Sequence, residues 1–339
     1  MGKVAVIGAG SWGTALSSVL AINGHQVFLL ARDRRRIDEI NHCRSNEKYL
    51  PDVRLPEGIV ATDDVTVTEG VRAVFLVVPS QAVRAVSERL RPHLHPETLL
   101  VHAVKGFELP SRKRISVVLK EVLGEERPIG ILSGPSHAEE VVRRLPTTVV
   151  VASEHVHLAE QVQELLMNEY FRVYVNRDPL GVELSGALKN VIAIAAGMSD
   201  GLSFGDNAKA ALITRGLAEI TRLGVAMGAS PLTFAGLAGV GDLVVTCTSR
   251  HSRNWRTGYL LAQGHTLEEV QVQLQMVAEG VKATVAARQL AEQYGVDMPI
   301  TEQLYQVLFH SRSPKDAVVS LMTRTPRHEN ERRVDTTPF

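Results

Sequence analysis

The chain has 339 residues, 45% of them hydrophobic and 22% charged, with 37 Lys plus Arg against 37 Asp plus Glu. This is ordinary globular composition with length for about two domains, and the even charge excludes a broad attraction to nucleic acid or an anionic membrane. Cys43 and Cys247 stand far apart, in no metal or redox spacing, which fits a reducing compartment and excludes a disulfide framework.

No basic segment precedes a cleavable apolar stretch at the N-terminus, and no apolar run is expected to reach membrane-spanning length. A soluble, cytoplasmic protein without an integral membrane segment is the expectation. Residues 3–8 (K-V-A-V-I-G) are β-rich and lead directly into G-A-G-S-W-G. A helical pattern follows through Leu20, Gly24 stops it, and residues 26–31 are again apolar. Strand, glycine turn, helix and strand in this order make Gly8, Gly10 and Gly13 a dinucleotide fingerprint. Gly8 permits the tight turn, Gly10 lets the backbone approach a pyrophosphate, and Gly13 lets helix pack on strand. The helix N-terminus offers its free N–H groups to the phosphates.

The second strand ends at Ala31 and runs into Arg32-Asp33-Arg34-Arg35-Arg36. Asp33 stands where an acid would take the adenosine ribose hydroxyls of NAD. Guanidinium groups suit a 2′-phosphate, so NADPH/NADP is the expected cofactor, with NADH/NAD as the alternative. Arg34 to Arg36 also fit a solvated helix face.

Further strands are predicted at 59–61, 73–78, 98–103, 129–132, 147–151 and 172–175. Helices lie between most of them, including 81–90, 111–123 and 158–167. Apolar strands alternating with helices predict an α/β fold with a parallel, doubly wound, Rossmann-like sheet covered on both faces. Ligands in such sheets sit beyond the carboxyl ends of the strands, where Lys105 and the run Ser133-Gly134-Pro135-Ser136 fall.

After Pro179 the pattern turns helical. Residues 182–197 (V-E-L-S-G-A-L-K-N-V-I-A-I-A-A-G) are apolar on nearly every face, so Lys189 and Asn190 belong to a buried helix. An ammonium there shifts its pKa or acquires a partner, unless its head reaches solvent along a buried stem. Ser185, Gly186 and Ala193 on its face are small and would leave room for a ligand. Residues 236–258 carry Gly236, Gly239 and Gly241, which predict an irregular segment. Arg250, Arg253 and Arg256, with Ser252 and Asn254 among them, suit a phosphate monoester. Asp242 could orient a lysine amine. Helices are predicted at 206–223, up to 274 after a Thr266/Glu269 capping box, at 279–294, at 300–310 and from Ser313 to Met322. The expected domains are a dinucleotide-binding unit at 1–179, an all-α substrate and catalytic unit at 180–322, and a loose polar tail at 323–339. The pairs His93/His95 and His155/His157 lack further ligands, so no metal is expected.

Together these residues resemble the bacterial-type NAD(P)-dependent sn-glycerol-3-phosphate dehydrogenase family, from about residue 3 to residue 322. The motifs that carry the resemblance are G-A-G-S-W-G-T-A-L, G-P-S-H-A-E-E-V, E-L-S-G-A-L-K-N-V, G-D-N-A-K-A-A-L-I-T-R-G, A-G-V-G-D-L, S-R-N and V-A-E-G. The resemblance implies reversible reduction of dihydroxyacetone phosphate to sn-glycerol 3-phosphate, the glycerophospholipid backbone, by a cytoplasmic homodimer. It implies Lys189 as the catalytic lysine. Substrate contacts would fall at Lys105, Gly134, Ser136, Lys189, Asp242, Ser252, Arg253 and Asn254. Cofactor contacts would fall at Ser11, Trp12, Arg32, Lys105, Ala138, Arg253, Val277 and Glu279, beside the glycines. Two rivals are a related reductase acting on pantoate or 6-phosphogluconate and a non-catalytic NADP(H) sensor. The arginine-rich stretch favours phosphate over a bare carboxylate, and a sensor has no need of a buried lysine beside it.

Overall fold

Strand β1 (Lys3–Ile7) runs through the interior of an eight-stranded sheet. Val4 and Val6 lie in the apolar layer on one face, Ala5 and Ile7 in the layer on the other. A strand buried on both faces needs apolar side chains of both parities, and the unbroken run V-A-V-I meets that need. The computed structural model describes residues 2–274, 278–326 and 328–329.

In chain order, β1 is followed by α1 (Ser11–Ile22), β2 (Gln26–Leu30), α2 (Arg34–Cys43), β3 (Ile59–Thr62), β4 (Ala73–Leu76), α3 (Val83–Leu90) and β5 (Leu99–His102). Next come a two-stranded hairpin, β6 (Phe107–Glu108) and β7 (Lys113–Arg114), then α4 (Ile115–Leu123), β8 (Ile129–Ser133), α5 (Ala138–Val141), β9 (Thr147–Ala152), α6 (Val156–Leu166) and β10 (Phe171–Asn176). The sheet order is β10-β9-β8-β5-β4-β1-β2-β3. Beyond β3 the chain crosses to the other side of β1, so the carboxyl ends of β1 and β4 flank the switch point where such sheets bind ligands.

The sheet departs from the all-parallel expectation at one pairing. β8 and β9 are antiparallel, and β10 is parallel to β9. The connection between β8 and β9 holds only the single-turn helix α5, so the chain folds back beside β8 without a full crossover helix. A second difference is the β6–β7 hairpin. It occupies the start of the helix expected at 111–123, which begins at Ile115. The hairpin carries Phe107 into the core of the helical half.

That half opens with α7 (Pro179–Gly201), whose Asp178 N-cap accepts a hydrogen bond from Gly181 N. Then follow α8 (Asp206–Ala226), α9 (Pro231–Phe234), a π-turn at Leu237–Gly241, α10 (Asp242–Thr248) and α11 (Arg253–Ala262). The last helices are α12 (Leu267–Leu274), α13 (Glu279–Tyr294), α14 (Pro299–Phe309) and α15 (Pro314–Met322). The capping box before α12 is present, with Thr266 and Glu269 each accepting the other's backbone N–H. α8 runs past the predicted end at 223, through Gly224 to Ala226. The ring of Phe234 fills the space that a side chain at Gly224 would need.

α7 is the central element of this half and 89% of its most apolar window is buried. Contrary to the expectation, it and the stretch Pro231–Thr248 are long and apolar enough to meet the criterion for a membrane span. For α7 the apolar faces are covered by the protein's own helices. α11 comes so close that a Cβ on Gly258 would lie 1.8 Å from the Ile194 carbonyl oxygen. Most of the expected loose tail, at 327 and 330–339, lies outside the described residues.

Candidate active site

α7 carries Lys189 into the protein, where it is only 5% exposed. Its Nζ donates to Asp242 Oδ1, at the start of α10, and to the Thr246 hydroxyl one turn later. Asp242 Oδ2 accepts from Lys105 Nζ at 2.6 Å. Lys105 follows β5, and its Nζ also donates to the Gly134 carbonyl at 3.1 Å. One carboxylate thus joins two lysines from the two halves of the chain, beside the end of β8. Ser136 Oγ donates to the same Gly134 carbonyl at 2.9 Å.

Burial pushes the Lys189 ammonium down to about 8, against the attraction of Asp242 and with the repulsion of Lys105. Burial also opposes ionisation of Asp242, but the charges and hydrogen bonds of Lys105 and Lys189 outweigh it and hold its carboxyl below the usual range. The result is an ionised carboxylate beside a lysine that titrates near neutrality, the condition for a group that both gives and takes a proton. Cys247 is buried close by, and burial raises its thiol to about 12, so it takes no part in that titration.

The space beside Gly186, expected to remain for a ligand, is filled. A Cβ there would lie 2.9 Å from Ser133 Oγ and 3.5 Å from Lys105 Cγ. The small residue serves to admit the Lys105 stem.

The basic stretch is not a loop, as expected, over most of its length. Asp242–Thr248 and Arg253–Ala262 are helices, and the glycines produce only the π-turn before them. Ser252 is the N-cap of α11, its Oγ accepting from Trp255 N at 3.2 Å. Arg253 is the first helical residue. The Asn254 side chain is also held by the protein itself. It donates to Asn190 Oδ1 at 2.8 Å and accepts from Gly280 N at 2.9 Å. Asn190 donates in turn to the Lys105 carbonyl at 3.1 Å. The first turn of α11 is therefore tied to the residue beside Lys189 and to the backbone of Lys105.

The glycine turn has the shape a dinucleotide needs. Gly8 has φ of 116°, and a Cβ there would lie 2.4 Å from the Val77 carbonyl oxygen. At Gly13 a Cβ would lie 1.8 Å from the Gly8 carbonyl oxygen. Around Gly10 there is open space within 4 Å, in front of the N-terminus of α1, which starts at Ser11. Two glycines thus close the turn and the third leaves an approach for phosphates, so the residues fit a nicotinamide dinucleotide. Trp12 packs on the sheet core, and Ala138 is buried in the same cluster.

At the end of β2, Asp33 caps α2, accepting from Arg35 N at 3.1 Å and from Arg36 Nη2 at 3.3 Å. Arg32 is exposed. Arg34 pairs with Asp63 across 3.5 Å, and Arg36 lies over the Tyr49 ring. Glu279 opens α13 and accepts from Ser80 Oγ at 2.7 Å, reaching across to the segment after β4. Val277 lies outside the described residues.

Sequence reasoning assigned no role to Thr246, Asn190, Ser80 or Asn46. Asn46 is fully buried, receives Arg36 Nη1, and donates to the Ala9 carbonyl and to Thr14 Oγ1, so it braces the glycine turn from below. Thr246 lies one turn beyond Asp242 on α10, a helix that the sequence reading did not predict. Asn190 was visible as the second polar residue of the buried run.

Comparison with known proteins covers both halves of the chain. Residues 3–159 match the family model for the N-terminus of NAD-dependent glycerol-3-phosphate dehydrogenase, and residues 178–319 match the model for its C-terminus. The chain is 57% identical to glycerol-3-phosphate dehydrogenase [NAD(P)+] of Geobacillus kaustophilus over 332 residues, 97% of this chain and 96% of that one. It is 54% identical to the Bacillus velezensis protein of the same name over 339 residues, 99% of this chain and 98% of the relative. The crystal structure of glycerol-3-phosphate dehydrogenase from Coxiella burnetii superposes with a TM-score of 0.91 at 40% identity, covering 95% of this chain and 99% of that one. With both halves matched and near-complete coverage at this identity, the chain belongs to the NAD-dependent glycerol-3-phosphate dehydrogenase family.

Proposed function

We propose that the chain reduces dihydroxyacetone phosphate to sn-glycerol 3-phosphate, reversibly and with NAD(P)H, using Lys189 as the proton donor. The observation that carries this is the shared carboxylate of Asp242 between Lys189 and Lys105. When bound, the reduced nicotinamide supplies the hydride that the ketone carbon accepts. The protein's own part is to hold the carbonyl oxygen and to give it a proton.

Lys189 has three N–H donors, and Asp242 and Thr246 engage two of them. The third is left to point at the carbonyl oxygen. Negative charge that develops on that oxygen is stabilised by two ammonium groups in a water-poor site, and Lys189 delivers its proton there. In the oxidative direction the neutral Lys189 amine takes the proton from the C2 hydroxyl. Asp242 remains ionised in both directions and keeps both lysines aimed. Ser252, Arg253 and the backbone N–H of Asn254 at the start of α11 bind the phosphate, where the helix dipole favours an anion. The Asn254–Asn190 bond then relates the phosphate site to the lysine beside it. Gly134 and Ser136 shape the side of the site that Lys105 closes.

On the cofactor side, Gly8, Gly10, Ser11 and Gly13 would cradle the pyrophosphate, with Trp12 and Ala138 lining the adjoining wall. Arg32 is available to a 2′-phosphate, while Asp33 is engaged at its cap, which supports NADPH over NADH. Glu279 would close the cofactor's far side together with Lys105 and Arg253. The same proposal includes a homodimer acting in the cytoplasm; light scattering of the purified protein checks the dimer, and cell fractionation checks the compartment. The function is tested by following nicotinamide absorbance with dihydroxyacetone phosphate, ketopantoate and the 6-phosphogluconate oxidation reaction. Turnover with the first alone is expected, and turnover with either rival in its place removes the assignment.

A further inference from the structure

Away from the lysines, the β6–β7 hairpin forms one wall of a cavity of about 320 Å³, within the range of small-molecule sites. Its lining includes the apolar side chains of Leu180 at the start of α7, Met227 at the end of α8 and Leu290 of α13. Its rim is cationic: Arg112, Lys113 and Arg114 face it from the hairpin. Lys113 pairs with Glu121, and Arg114 Nη1 donates to Glu183 Oε2 at 2.8 Å. The Arg112 guanidinium has no hydrogen-bond or ion-pair partner among the described residues. The cavity therefore presents one unpaired positive charge beside apolar side chains.

We propose that this cavity is a second site, for a small organic anion with an apolar part, and that its occupation slows the enzyme. The direction follows from what Arg114 does. Glu183 is 3% exposed and lies on α7 upstream of Lys189. It accepts from Ser116 N at 2.8 Å, from Ser116 Oγ at 2.6 Å and from Arg114, and it lies 3.6 Å from His102 Nε2 at the end of β5, the strand that leads to Lys105. An anion held by Arg112 draws Arg114 toward the cavity and away from Glu183. A buried carboxylate deprived of its cation is unfavourable, so the packing of α7 against β5 must readjust. α7 carries Lys189 and β5 leads to Lys105, the two lysines that share Asp242, and their spacing sets the rate.

The test uses phenyl phosphate as probe on the full-length protein with saturating NADPH, at several concentrations of dihydroxyacetone phosphate. Phenyl phosphate should lower kcat, and excess substrate should not restore it. Arg112→Ala should leave the uninhibited kcat and KM unchanged and raise the half-inhibiting concentration about tenfold, the value of one charge-assisted contact at a partly exposed site. Inorganic phosphate, which lacks the apolar part, should inhibit only in competition with substrate. Inhibition by phenyl phosphate that excess substrate fully relieves, or that is unchanged in Arg112→Ala, or no inhibition at all, overturns the proposal. Because the effect is read against the uninhibited rate, failure of the proposed reaction would show separately, as an absence of turnover with no inhibitor present.

Discussion

Lys189 and Asp242, 53 positions apart in the chain, meet inside the helical half with the carboxylate oxygen Oδ1 against the lysine Nζ. The second oxygen of the same carboxylate reaches out of that half to Lys105. Asp242 is 2% exposed, so its charge is balanced by the two lysines and not by water. The site therefore works only when the two halves of the chain are held in register, and the charge at its centre belongs to three residues together.

Replacing Asp242 with Asn keeps the shape and removes the charge. Lys189 then faces Lys105 without compensation, and its proton is held less tightly than the value of about 8 implies. The alkaline limb of the rate profile for reduction should move to lower pH by at least about one unit, or ~1.4 kcal/mol of differential interaction. Breaking a buried charge network also costs stability, roughly 3–5 kcal/mol. An unmoved limb in a folded variant would mean that Asp242 does not govern the lysine.

The pH dependence of the wild type follows from the sign of the Lys189 shift. Its ammonium form, needed for reduction, dominates below about 8, and its amine form, needed for oxidation, dominates above it. With increasing pH, kcat/KM for reduction should fall through that value while kcat/KM for oxidation rises through it. Two profiles that run parallel would remove Lys189 as the group that exchanges the proton.

Much of this was legible in the chain because single residue types carried the information. A lysine in a run of apolar residues read as part of a buried helix, and Lys189 is buried; three glycines between strand and helix read as a tight turn, which Gly8 and Gly13 close. The β8–β9 reversal was not legible: a strand such as Thr147–Ala152, apolar on both faces, reads the same in either direction. Gly236, Gly239 and Gly241 hid the helix that follows them, and with it Thr246. Asn46 lies in a polar stretch without periodicity, and only its contacts with Ala9 and Thr14 reveal its role. The amide of Asn254 read as a phosphate donor, and its ties to α7 and α13 appear only in the structure.

Arg253→Ala should mainly weaken substrate binding, raising KM more than it lowers kcat, because the lost contact holds the phosphate in both the ground and transition states. Sulfate should compete with dihydroxyacetone phosphate in the wild type and much less in the variant. Equal protection by sulfate in both proteins would place the phosphate away from the start of α11.

Arg32 is exposed at the end of β2, while Asp33 is engaged by Arg35 N and Arg36. NADPH should therefore bind more tightly than NADH by about tenfold, the lower end of a charge-assisted contact at a solvated rim. Arg32→Ala should remove the difference and leave the NADH dissociation constant nearly unchanged. Added salt should reduce it in the wild type through screening. A preference that responds to Asp33→Ala and not to Arg32→Ala would reverse the assignment.

The assignment of proton transfer to Lys189 is tested most directly by kcat for dihydroxyacetone phosphate reduction in Lys189→Ala, measured beside the NADPH dissociation constant of the same folded protein. The glycine turn and Arg32 are untouched by the change, so NADPH binding should stay within about threefold of the wild type, well under the ~1.4 kcal/mol of a tenfold effect. The rate should fall by roughly 10²–10⁴, the usual contribution of a positioned general acid. A variant that binds NADPH normally and keeps a kcat near that of the wild type would contradict the role of Lys189 and leave it a packing residue of α7.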